Sequence, residues 1–128
     1  VADGLQVELV SADRLVWSGE ATMVRAKTAE GDIGILKDHA PVLSVMRAAP
    51  VEIETSGETV VAAVDDGFLS VAANRVSILT EHAELAADVD ASAARAELDR
   101  LSGSDADDEE AQAAIRAAEA RVAVSERS

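Results

Sequence analysis

Residues 59–80, TVVAAVDDGFLSVAANRVSILT, set three short apolar runs around two turn signals. Thr59 to Val64 is rich in β-branched residues, which fit a pleated, half-buried surface. Asp65-Asp66-Gly67 stands between two apolar runs and reads first as a hairpin turn, and Ala73-Asn74 reads as the next. Strands are therefore predicted near 59–64, 67–72 and 75–80. The same texture extends toward the start of the chain. Leu5, Val7 and Leu9 alternate with Gln6 and Glu8, and Val51 and Ile53 alternate with Glu52 and Glu54. Ser18-Gly19, Glu30-Gly31-Asp32 and Ser56-Gly57 supply further turn signals. Strands near 4–10, 14–17, 21–27, 33–36, 42–47 and 50–55 complete the set. No intervening run is long enough for a crossover helix, so the pattern predicts an antiparallel β-sandwich or barrel.

After Ala87 the composition turns from Val-rich to Ala-rich. In residues 90–101, Ala94, Leu98 and Leu101 share one helical face; Asp90 suits an N-cap, and Ser102-Gly103 suits a stop. An acidic turn follows, and then Ala111, Ile115, Ala118 and Val122 repeat with helical spacing. Asp108, Glu109 and Glu110 stand where the second helix presents its positive dipole end. Two parts are expected: a β-sandwich over residues 1–87 and a helical hairpin over 88–128. They carry net charges of −8 and −6, so charge does not separate them. Side-chain size does. A stripe made largely of Ala buries little area at about 25 cal/mol per Å², so the hairpin is expected to be weakly held and detachable.

The 128 residues include no Cys, which excludes disulfides and thiolate chemistry. A formal charge of −14 repels nucleic acid and anionic lipid, so neither is an expected partner. Aromatics are 2% of the chain, too few for the stacking platforms of sugar or single-strand sites. No window is apolar enough to span a bilayer, and VADGLQVELV has neither a basic leader nor a signal core, so a soluble protein without direct membrane insertion is expected.

Asp32, Asp38 and His39 form the one acid–base constellation of note. Asp38 and His39 are adjacent, so in an extended segment their side chains diverge, and no nucleophile-elbow Ser accompanies them. A loop that caps a strand or meets a partner fits better than an active site. Gly34 reads as a bulge or a close backbone approach rather than part of a phosphate loop, because no helix opens after GDIGIL. His39 and His82, without thiols, make no metal site, and no cofactor is implied. Arg95, Arg116 and Arg121 could converge on a nucleotide's phosphates or form ordinary helix-face pairs.

Three blocks in order, VELVSADRLVWSGEA, EGDIGILKDHAPVL and DDGFLSVAANRVSILTEHAELAADVD, closely resemble the epsilon subunit of bacterial F-type ATP synthase. The likeness runs over residues 5–90, and the Ala, Asp and Val richness resembles actinobacterial members. The resemblance implies a ten-stranded β-sandwich followed by two helices. It also implies a non-catalytic rotor subunit at the cytoplasmic face of the bacterial plasma membrane, held there as a peripheral part of the complex. Such a subunit binds the gamma subunit and the c-ring, couples proton flow to ATP synthesis, and restrains ATP hydrolysis when its C-terminal helices reach the catalytic alpha/beta head. A stand-alone sandwich adaptor is the alternative.

The family pattern G-[DE]-x-G-x…H-A-P falls on Gly31, Asp32, Gly34, His39, Ala40 and Pro41, which makes Glu30, Asp32 and His39 the implied partner contacts. Some members bind ATP on the hairpin, and the corresponding positions here are Asp90, Arg95, Arg116 and Arg121. Val89-Asp90 matches that motif's opening, but Ala93 stands where it has Arg and Arg95 comes two residues late. Two residues rotate a helical position by about 200°, which argues against nucleotide binding. Arg121 fits the second-helix pattern, and Arg116 falls one residue off.

Overall fold

The structure, a computed structural model, describes residues 4–103 and 108–126. Ten strands run in chain order: β1 (Leu5–Ser11), β2 (Leu15–Ala21), β3 (Met23–Thr28), β4 (Gly31–Leu36), β5 (Val42–Met46), β6 (Ala49–Glu54), β7 (Thr59–Val64), β8 (Gly67–Ala72), β9 (Arg75–Thr80) and β10 (Ala83–Leu85). A single 3-10 turn, Ala86–Asp88, leads to helices α1 (Ala91–Leu101) and α2 (Glu109–Ser125). The expected acidic turn lies largely at 104–107, outside the described residues.

The strands pair in the order β10-β7-β6-β3-β5-β8-β9-β1-β2, with β4 also on β3. β3 meets β5 only at Thr28 and Met46, so the sheet folds there into two layers. Alternation explains what faces inward. Leu5, Val7 and Leu9 of β1, Val51 and Ile53 of β6, and Val76 and Ile78 of β9 all enter one aliphatic core. The pairing is antiparallel except between β1 and β9, which run parallel with Val7 opposite Val76. These two strands are far apart in sequence, so no short turn dictates their direction.

Three local expectations are corrected. Asp65-Asp66-Gly67 is not a hairpin turn: β7 pairs with β6 and β10 while β8 pairs with β5 and β9, so this segment carries the chain from one layer to the other. Ser18-Gly19 is not a turn: β2 continues through it, with Gly19 opposite Val7, and the chain reverses at Thr22. A Cβ at Gly19 would lie 2.9 Å from the Trp17 ring, so glycine here makes room for the indole two residues back on the same face. Gly34 pairs regularly with Arg25, and a Cβ there would meet nothing within 4 Å, so it is neither a bulge nor a close approach.

The helices begin as their sequence dictates. Asp90 caps α1, its carboxylate accepting from Ala93 N at 3.1 Å, and Asp108 caps α2 by accepting from Glu110 N and Ala111 N. Ala94 and Leu101 are the buried residues of α1, which packs mainly on α2. α2 lies across β6 and β7. Its buried residues are Ala117, Ala118, Ala120 and Val124. Ala120 and Val124 meet Ala63 of β7, with Val61, Ala86 and Val89 packed around them. β7 is therefore covered on both faces, which accounts for its unbroken apolar run.

Candidate functional site

The face that the hairpin leaves bare is the layer β5-β8-β9-β1-β2. Register brings its outward apolar residues into one row: Val45 lies opposite Phe68, Phe68 opposite Leu79, Leu79 beside Val10, and Val10 opposite Leu15. Phe68 is 55% exposed and Leu15 57%, and Leu43 on β5 extends the patch at 79%. The next row begins at Leu43 and is polar from there on, through Ser70, Ser77, Glu8 and Ser18, so the apolar row is bounded beyond β5. Contiguous exposed apolar surface of this kind marks an interaction site. The row was not foreseen because outward position is legible only once the pairing is known.

The β3–β4 turn with Glu30 stands at one end of this row, whereas Asp32, opposite Lys27, lies with Arg25 and Glu52 on the outer face of the other layer. Ala29 N donates to Val45 O at 2.9 Å, which places the β3–β4 turn against the row's first residue. Glu30 and Asp32 are both exposed. His39 is not with them. Leu36 is four steps of extended strand from Asp32, a rise of about 13 Å, and His39 lies beyond that end, its N donating to Leu36 O. His39 Nδ1 lies 2.7 Å from Ala40 O, while the neighbouring Asp38 turns through a left-handed φ of 66°. Asp38 N donates to Asn74 Oδ1 at 2.6 Å, and Asn74 Nδ2 donates to the Asp38 carboxylate at 3.2 Å. The acid and the imidazole thus serve different neighbours.

The four hairpin positions do not gather into one pocket. Asp90 is occupied as a helix cap. Arg95 reaches Glu126 at 2.6 Å, tying α1 to the end of α2. Arg121 donates through Nε to Glu84 at 2.7 Å and through Nη2 to Asp65 at 3.0 Å. Arg116 approaches Asp66 at 3.8 Å. Arg116 and Arg121 thereby meet at the β7–β8 connection, facing the sandwich, and Arg95 stands apart. Burial acts to raise the Glu84 carboxyl, but the hydrogen bonds from Arg121 and His82 outweigh it and hold Glu84 below the usual carboxylate range. Asp65 and Asp66, read in the sequence as a hairpin turn, and Glu84, which no sequence signal singles out, are the sandwich's anchors for α2. Among the described residues no His, Asp and Glu cluster suits a metal ion, and no helix is long and apolar enough to cross a membrane.

Known proteins share this architecture and sequence. Residues 4–86 match the family described as ATP synthase, Delta/Epsilon chain, beta-sandwich domain. An ATP synthase epsilon chain of Streptomyces avermitilis is 57% identical over 101 residues, covering 78% of this chain and 82% of the relative. That of Nocardia farcinica is 44% identical over 121 residues, covering 90% of each. Among solved structures, a chain of the Euglena gracilis mitochondrial ATP synthase, OSCP/F1/c-ring, superposes with a TM-score of 0.80 at 20% identity, covering 96% of this chain and 82% of that one. A chain of the Tetrahymena thermophila mitochondrial ATP synthase central stalk and c-ring gives 0.66 at 17%, covering 98% and 96%. The protein thus belongs to the ATP synthase delta/epsilon chain family, as an epsilon-type, non-catalytic subunit of that complex.

Proposed function

We propose that this chain is a rotor subunit of the central stalk, whose sandwich (residues 1–87) joins the gamma subunit to the c-ring and whose hairpin (88–128) regulates ATP hydrolysis. The observation that carries the reading is the exposed apolar row from Val45 to Leu15. A subunit that must turn with its neighbours without slipping needs a desolvated core contact with a polar rim, and this row, with Glu30 at one end and Ser70, Ser77, Glu8 and Ser18 beside it, supplies both. The row is the gamma contact. Glu30 forms its charged edge toward the c-ring loops, while Asp32, on the outer face of the other layer, and His39, at the other end of β4, meet separate parts of the stalk. Charges at such a rim govern partner choice and assembly rate more than affinity. Family membership favours this reading over a stand-alone adaptor.

The hairpin's hold on the sandwich consists of a small apolar cluster plus ion pairs, which suits a unit that can leave and reach the alpha/beta head. The chain is peripheral, held at the cytoplasmic face of the bacterial plasma membrane through the ring. The experiment is ATPase activity and proton-driven synthesis of the assembled complex with the full chain and with a chain ending at Val89. Faster hydrolysis with synthesis retained supports the reading. A truncated chain that no longer assembles, or unchanged hydrolysis, contradicts it.

A further inference from the structure

A second feature lies between the sandwich and α2, away from Asp90 and Arg95. A cavity of about 440 Å³ is lined by Lys27, Arg47, Ala48, Ala49 and Pro50 from the sandwich and by Arg116, Glu119, Ala120 and Ala123 from α2. Three cations and one carboxylate make it locally positive in a chain of net charge −14. At physiological salt, screening confines distant charges to a reach of about 8 Å, so the lining rather than the whole-chain field sets the potential inside.

The three cations are poorly matched by acids of the protein. Among the described residues neither Lys27 nor Arg47 has an ion-pair partner, although Asp32 is the cross-strand neighbour of Lys27. Arg116 reaches Asp66 only at 3.8 Å, and its Nε is buried with no hydrogen-bond partner among the described residues. An unsatisfied buried donor and three gathered like charges are both costly, and a multivalent oxyanion would relieve both together. The cavity has the size of a small-ligand site, and its apolar wall is only alanine and proline, which offers a ring nothing to stack on.

We propose that this cavity binds a diphosphate-class anion, free or borne on a larger molecule, held by Lys27 and Arg47 from the sandwich and by Arg116 from α2. The site stands or falls independently of the rotor reading. An anion gripped from both sides also favours the docked hairpin, by mass action.

The test is calorimetric titration of the full chain with inorganic pyrophosphate and, separately, with ADP, at matched ionic strength. Saturable one-to-one binding that weakens at least about tenfold in Lys27→Ala and again in Arg47→Ala is expected. Arg95→Ala, whose side chain pairs with Glu126, leaves it unchanged. Both Lys27 and Arg47 are exposed, so these variants keep their folding transition, which thermal unfolding verifies. Tighter pyrophosphate binding identifies a free anion, and equal or tighter ADP binding identifies a nucleotide-borne one; either supports the site. No saturable binding of either probe, or equal affinity in the Lys27→Ala/Arg47→Ala double variant, overturns it.

Discussion

Arg121 of α2 donates to Glu84 of β10 at 2.7 Å with only 19% of its side chain exposed, and a second arm of the same guanidinium reaches Asp65 at 3.0 Å. One cation thus bridges two sandwich elements separated in sequence, and α2 cannot lift without breaking both contacts. Arg121→Ala leaves two partly buried carboxylates without their cation. We expect a loss of about 2 kcal/mol in hairpin docking, read as roughly 30-fold faster amide exchange in α2 with β6 and β9 unchanged.

Glu84 makes the docking pH-dependent. Its carboxyl is held below its ordinary value near 4.5, despite burial, by the hydrogen bonds from Arg121 and His82. A depressed carboxylate contributes stability that is fully present above its unfolded pKa and is lost as pH falls through the folded one. The hairpin therefore stays docked from neutrality down to about pH 4.5 and loosens below that. Contacts between the Val124 methyls and Ala63, followed by NMR, should fade below about pH 4.5. In Glu84→Gln they should be weaker at neutral pH and fall less on acidification.

The apolar half of the dock is small enough for one residue to matter. Val124 is fully buried against Ala63 and Ala120. Val124→Ala should cost about 1–2 kcal/mol of docking and nothing in the sandwich, so a two-step unfolding curve would lose only its first step.

Gly67 tests the sandwich alone. A Cβ there would fall 2.0 Å from Leu79 O, a backbone atom that cannot swing aside. Gly67→Ala should force β8 from β9 and cost about 3 kcal/mol or more, lowering the main thermal midpoint while α2 dissociates with it.

Much of this architecture is legible in the residues. Nine strands follow from alternation and turn chemistry, because Leu5, Val7 and Leu9 or Val51 and Ile53 state their own buried face. β10 was missed: Ala83–Leu85 is too short to alternate, and its pairing with β7 is a long-range event. Helix α1 buries Ala94 and Leu101 as its spacing predicts. In α2, of the stripe Ala111, Ile115, Ala118 and Val122, only Ala118 is fully buried; Ala117, Ala120 and Val124 are buried as well. A helix wedged between α1 and a sheet hides two faces, and a run of alanines marks neither. Glu30, Asp32 and His39 are near in sequence, yet the extended run of β4 sets His39 apart from the other two. The row through Phe68 and Leu79 could not be seen at all, since it is assembled from one residue per strand.

We propose that this row is the surface by which the subunit joins the rotor. It is tested most directly by the affinity of the full chain for the isolated gamma subunit, compared with Phe68→Glu and Leu79→Glu. Both side chains already face outward, so the variants should fold with unchanged thermal midpoints. We predict that each weakens binding at least about 100-fold, the effect of placing a charge in a desolvated interface core. Gamma binding that is unaltered by both substitutions, in chains shown to be folded, would rule out this row as the gamma contact.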